Sequence, residues 1–169
     1  MSNLNRGTAI RVVRLDSRAS VPVYQTEHAA GLDLAACLPR GEIATGEIAI
    51  EPGRIVKVPT GLALAIPEGF EGQVRARSGL ATRHGLTLPN SPGTIDADYR
   101  GELFVALINL GREAVVIRHG DRIAQLVIAP VARARVEVVD SLDETPRGEG
   151  GFGSTGIVST LGREGRARV

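Results

Sequence analysis

Asp96, Asp98 and Tyr99 in "GTIDADYRG" place two carboxylates two residues apart with an aromatic ring directly behind them, in a chain with only two tyrosines and no tryptophan. Such a pair has three chemical uses: holding a metal, activating a water, or decorating a solvated turn. If the segment is extended, both carboxylates project to one face about 7 Å apart, too far to share one proton. No His flanks them at ligand spacing, so a two-carboxylate metal site is disfavoured. Two readings stay open. Either one Asp activates a water while the other holds the turn or pairs with Arg100, or the turn carries one structural and one solvated carboxylate.

Three other stretches carry chemistry. In "RSGLATRHG", Ser78 suits a helix N-cap and Gly85 a helix stop, and Arg77 adds a planar cation suited to phosphate oxygens. A helix start with unpaired N–H groups favours an anion, although a plain capped turn explains the same residues. In "RGEGGFGSTG", Gly148, Gly150, Gly151 and Gly153 let the backbone wrap closely around a ligand. Arg147, Ser154 and Thr155 supply polar contacts there, and Phe152 is an aromatic suited to stacking on a planar base. It is not a P-loop, because no Gly-Lys-Ser/Thr follows the glycines. Asp33 in "HAAGLDLAA" and Gln125 in "HGDRIAQLV" stand in apolar runs, where an ionised carboxylate needs a partner. Each alone reads as a satisfied structural polar group. His28, His84 and His119 have no ligand spacing and are assigned to no metal or triad.

The elements that position these residues are strands. Gly (21) and Pro (9) punctuate the 169 residues at short intervals, and the runs between them are rich in Val, Ile and Leu. Strands are predicted at 9–15, 48–50, 54–67, 72–77, 102–110, 114–119, 122–131 and 135–139, since no segment sustains a 3.6-residue apolar period. The fold expected is all-β: a sandwich, jelly roll or small barrel in one domain. "ELFVALINL" is apolar on both faces, which points to a covering partner chain. After Asp140 the composition turns Gly-rich and aperiodic, so residues 1–140 are expected to form the core and 141–169 a flexible arm.

Net charge is +1, which argues against a protein that coats nucleic acid. Of 20 basic residues only Lys57 is a lysine. Cys37 is the only cysteine; its apolar setting suits a small buried residue, and no internal disulfide is possible. The N-terminus lacks the apolar core of a signal peptide, and no run approaches the roughly 20 apolar residues that span a bilayer. A cytoplasmic protein with no membrane partner is expected.

Five stretches in order, "AGLDLAA", "RSGLATRHG", "NSPGTIDADYRGELFVALINLG", "GDRIAQLVI" and "RGEGGFGSTG", give the chain a resemblance to the trimeric all-β deoxyuridine triphosphatases (dUTP pyrophosphatases) over residues 30 to 156. The resemblance implies a jelly-roll-like subunit of a homotrimer, with active sites at subunit interfaces closed by the arm. It implies hydrolysis of dUTP to dUMP and pyrophosphate with Mg²⁺ on the triphosphate, limiting uracil incorporation into DNA and supplying dUMP for thymidylate synthesis. Asp96 would activate the water that attacks the α-phosphorus, and Tyr99 would exclude a 2′-hydroxyl. Asn90 and the hairpin backbone at Thr94 and Ile95 would read uracil. Arg77, Ser78 and Gly79, with Gln125 beside them, would meet the phosphates, and Asp33 would hold waters of the magnesium shell. From the arm, Phe152 would stack on uracil while Arg147, Gly153, Ser154 and Thr155 close over the γ-phosphate. The resemblance also splits the pair, leaving Asp98 to hold the hairpin. A dCTP deaminase is disfavoured, because the position where it needs a Glu is Ala106. A non-catalytic nucleotide sensor would not need the complete set of Asp96, Tyr99 and arm.

Overall fold

A computed structural model describes residues 8–39 and 46–151. Among the described residues ten strands and one helix follow in order: β1 (Arg11–Arg14), β2 (Leu32–Ala35), β3 (Glu47–Ile50), β4 (Ile55–Ala65), β5 (Phe70–Ala76), α1 (Ser78–His84), β6 (Leu86–Thr87), β7 (Gly93–Ile95), β8 (Glu102–Asn109), β9 (Val115–Arg118) and β10 (Arg122–Pro130). They form antiparallel sheets ordered β1-β4-β8-β6 and β2-β10-β5-β7, with a separate β3-β9 pair. The all-β expectation holds, and seven of the eight expected strands are present.

The eighth is not. Arg135–Val139 forms no strand, and Val136 and Val138 stand 87% and 97% exposed. Alternating valines give a segment the side chains of a strand, but a strand also needs a partner ladder, and none of the described strands pairs with these residues.

Chain contacts divide the protein into two compact units, Met1–Arg133 and Ala134–Val169. In the first, alternation along β8 turns Leu103, Val105, Leu107 and Asn109 inward and leaves Glu102, Phe104, Ala106 and Ile108 partly exposed. Leu103, Val105 and Leu107 join Leu34, Leu38, Ile50, Val58, Ile123 and Leu126 in one core. Deleting one such leucine side chain costs about 2–5 kcal/mol. Asn109 is fully buried yet satisfied: its amide donates to the Ile50 carbonyl (2.7 Å) and the Glu113 carbonyl (2.8 Å) and accepts from Gly111 N–H (2.8 Å). Cys37 is buried beside Ala19 and Leu62, and that burial pushes its thiol pKa up.

In the second unit the described residues hold local turns. Gly148 N–H donates to the Thr145 carbonyl (3.0 Å), and the Arg147 guanidinium donates to the Gly150 carbonyl (2.8 Å). Among the described residues no helix is long and apolar enough to cross a membrane.

Candidate active site

The sheet β2-β10-β5-β7 carries two groups of the residues singled out above, at opposite ends of β5. At the first end the register sets Asp33 opposite Gln125, and Gln125 opposite Arg75. Asp33 has a nearly inaccessible side chain, and its charge is met from three sides. Arg122 donates to Oδ2 at 2.9 Å and Gln125 to Oδ1 at 3.3 Å, while the Arg77 guanidinium lies 3.7 Å from Oδ1. Arg77 also donates to the Arg122 carbonyl at 2.8 Å, which ties the end of β5 to the start of β10. A buried carboxylate is tolerated because cations and donors surround it.

Arg122 is a residue the sequence reading passed over. It lies three positions before Gln125, so strict strand alternation puts the two on opposite faces. The β10–β2 pairing shifts register between Arg122 and Ala124, and that irregularity turns Arg122 back toward Asp33. A bulge of this kind leaves no mark in a single sequence.

Arg77, Ser78, Gly79 and Gln125 line a small cleft of about 160 Å³ together with Arg83. Ser78 is not the helix cap. That position belongs to Arg77, which is extended (φ −80°, ψ 125°) and makes no side-chain cap bond. Its guanidinium is committed to Asp33 and the Arg122 carbonyl, and its own carbonyl accepts from Leu80 and Ala81 N–H at 3.0 Å. The expected stop holds: Gly85 ends α1 in the left-handed region at φ 68°. Gly79 leaves room for Arg83, whose terminal nitrogen lies 2.9 Å from where a Cβ would stand.

At the other end of β5, β7 pairs so that Thr94 faces Gln73 and Ile95 faces Gly72. Gly72 permits that approach, since a Cβ there would meet Ile66 at 2.8 Å and Leu126 at 3.0 Å. Asn90 folds back against Gly93. Beyond Ile95 the chain leaves the strand, and Tyr99 N–H donates to the Asp96 carbonyl (3.2 Å), closing a four-residue turn. The carboxylates of Asp96 and Asp98 are both exposed on it. Asp98 does not hold the turn or pair with Arg100: it makes no hydrogen bond or ion pair among the described residues. Arg100 does the bracing instead, donating to the Ala97 carbonyl (2.6 Å) and the Tyr99 carbonyl (2.7 Å). Those carbonyls are closer competitors for the guanidinium than a solvated carboxylate.

Tyr99 donates its hydroxyl to the Glu102 carbonyl (2.8 Å), and its ring lies across Gly101. A Cβ on Gly101 would stand 2.5 Å from the Tyr99 hydroxyl oxygen. Asp96, Tyr99 and Thr94 share a cleft of about 210 Å³ with Lys57, Glu102 and Phe104, three residues the sequence reading did not assign. Lys57 reaches it from β4 and the other two from β8, so only strand pairing reveals the neighbourhood.

The two groups stay apart within one chain. Ile95 is level with Gly72, and from Gly72 to Arg77 the chain runs five residues, ~16 Å at about 3.3 Å each. Arg147 is exposed among the turns of the second unit. Phe152, Gly153, Ser154 and Thr155 lie outside the described residues. Among the described residues no three His, Cys, Asp or Glu side chains converge as a metal cage.

Residues 17–156 match the dUTPase family model, and the chain belongs to that family. It is 64% identical over 138 residues to the deoxyuridine 5′-triphosphate nucleotidohydrolase of Desulfotalea psychrophila, covering 82% of this chain and 88% of that one. It is 61% identical over 148 residues to the enzyme of the same name from Syntrophotalea carbinolica, covering 88% and 97%. Among solved structures it resembles the dUTPase of Staphylococcus bacteriophage 80alpha with dUPNHPP, at 26% identity and TM-score 0.74, over 88% of this chain and 99% of that one. A mutant dUTPase from phage phi11 of S. aureus, described with a structural Mg(II) ion, shares the fold at 24% identity and TM-score 0.68, over 79% of this chain and 97% of that one.

Proposed function

We infer that this chain is a dUTP diphosphatase, hydrolysing dUTP to dUMP and pyrophosphate by attack of an Asp96-activated water on the α-phosphorus. The activity rests on family membership and on relatives of that name more than 60% identical to it. The residue roles rest on the two separated groups, one built around arginines and one around an exposed carboxylate beside an aromatic ring.

Asp96 is suited to take a proton from water because nothing among the described residues claims its carboxylate. Tyr99, with its hydroxyl tied back to Glu102 and its ring against Gly101, offers a fixed apolar face to a deoxyribose. A 2′-hydroxyl would meet that ring. Asn90 and the Thr94–Ile95 backbone are assigned to the uracil edge. Arg77, Ser78, Gly79 and Gln125 are assigned to the phosphates, where cations and N–H groups stabilise developing charge. From the arm, Arg147 and the residues from Phe152 to Thr155 are assigned to closure over base and γ-phosphate, which excludes bulk water.

The ~16 Å between the groups is more than one triphosphate allows between its attacked phosphorus and the neighbouring phosphates. That separation favours a site taking Asp96 and Tyr99 from one chain and Arg77, Ser78 and Gln125 from another, in keeping with the homotrimer and interface sites that the family resemblance implies. The half-exposed face of β8 is available for such an interface.

Mg²⁺ fits this donor set as an ion held mainly by phosphate and water. Asp33 already accepts from Arg122 and Gln125, so it suits a metal-bound water better than the metal itself. Bound there, the ion would neutralise triphosphate charge. A cytoplasmic setting and a role in keeping uracil out of DNA go with this reading. The test is pyrophosphate release from dUTP, dCTP, dTTP and UTP side by side. Turnover of dUTP alone is expected; ammonia release from dCTP, or dUTP binding without hydrolysis, overturns the reading.

A further inference from the structure

Lys57, the only lysine in the sequence, extends from β4 with its ammonium 4.1 Å from the centroid of the Phe104 ring on β8. That contact steers the side chain along the sheet toward the turn that carries Asp96 and Tyr99. Among the described residues Lys57 is the one cation lining their shared cleft, against two carboxylates, Asp96 and Glu102. Glu102 is partly engaged, accepting from Gly61 N–H at 2.9 Å. Lys57 takes part in none of the ion pairs among the described residues, so its charge remains available to a ligand.

We propose that Lys57 is a further substrate-contacting residue, donating its ammonium to a non-bridging oxygen of the α-phosphate of the bound deoxynucleotide. The proposal rests on the assignment of Asp96 and Tyr99 made above. If Asp96 activates the attacking water, the α-phosphate must lie beside it, and an anion there faces two carboxylates. The arginine group is assigned to the phosphates from another chain, so Lys57 is the cation that the cleft beside Asp96 supplies. A compact ammonium on a rotatable stem suits one oxygen of a phosphate that must also admit water on its far side.

The experiment compares the full-length protein with Lys57→Met, which keeps the stem over Phe104, and with Lys57→Arg. Three quantities are read: kcat on dUTP, inhibition by dUMP, and inhibition by deoxyuridine, which lacks the phosphate. Loss of a charge-assisted hydrogen bond predicts about tenfold weaker dUMP inhibition and about tenfold lower kcat in Lys57→Met. Deoxyuridine inhibition and thermal stability stay unchanged, and Lys57→Arg restores most of the loss. Unchanged dUMP inhibition and kcat in Lys57→Met overturn the proposal. So does equal weakening of dUMP and deoxyuridine, which would make Lys57 a reader of the base or sugar. Failure of the parent reading looks different: the unmodified protein itself would not turn over dUTP.

Discussion

The group around Asp33 and the turn around Asp96 hold their carboxylates in opposite ways. Asp33 is buried, and its charge is answered inside the chain by Arg122, Gln125 and Arg77. Asp96 is exposed and answered by no group among the described residues, where backbone and the Arg100 guanidinium fix the turn beneath it. A buried, compensated carboxylate serves the fold and orients its partners. An exposed, uncompensated one contributes little to folding and stays free for chemistry. Substitutions at the two acids should therefore separate activity from stability.

The largest effect is expected at Asp96. Asp96→Asn removes the proton acceptor, so kcat should fall about 10²–10⁴-fold while dUTP binding and melting temperature change little. A melting temperature lowered as much as by a core substitution would break the comparison. Asp33→Ala should act the other way round in stability. It leaves Arg77 and Arg122 facing each other without a counter-charge, and the partly exposed guanidiniums limit the loss to about 1–3 kcal/mol in denaturant unfolding. Asn109→Ala, remote from both acids, should cost a similar ~2 kcal/mol through three lost hydrogen bonds, with KM for dUTP unchanged.

Gly101→Ala sharpens the account of the turn. The added methyl must displace the Tyr99 ring, so discrimination of dUTP over UTP should relax by about tenfold with stability nearly unchanged. The smallest effect concerns Asp16, outside both regions. Its hydrogen bonds from Arg18 hold its carboxyl at about 2, below its ordinary 3.8. A depressed folded value means a contribution that is complete above about pH 4 and lost as pH falls toward 2. The acid-melting curves of the protein and Asp16→Asn should converge across that window.

Much of this was legible in the sequence because local pattern carries it. Short apolar runs between Gly and Pro gave the strands, and the residues of the Asp96 turn are contiguous. Contacts that only strand pairing creates were not legible. Arg122 reaches Asp33 across 89 residues and through a register shift, and Lys57 comes to line the same cleft as Asp96 because β4 lies beside β8. Ser78 was read as a cap because its residue type suits one, whereas the cap position falls on Arg77, whose backbone carbonyl rather than its side chain takes the first helical N–H bonds. The valines of 135–139 showed that strand-forming side chains do not make a strand without a partner.

The central claim is that the arginine group and the Asp96 turn of one site come from different chains. Mixing inactive Asp96→Asn with inactive Arg77→Ala, followed by subunit exchange, tests it most directly. In randomly mixed trimers about a quarter of the sites would combine an intact turn with an intact arginine group, so dUTP turnover should reappear at about that fraction. Subunit exchange without any recovered turnover would place both groups of a working site in one chain and contradict the account.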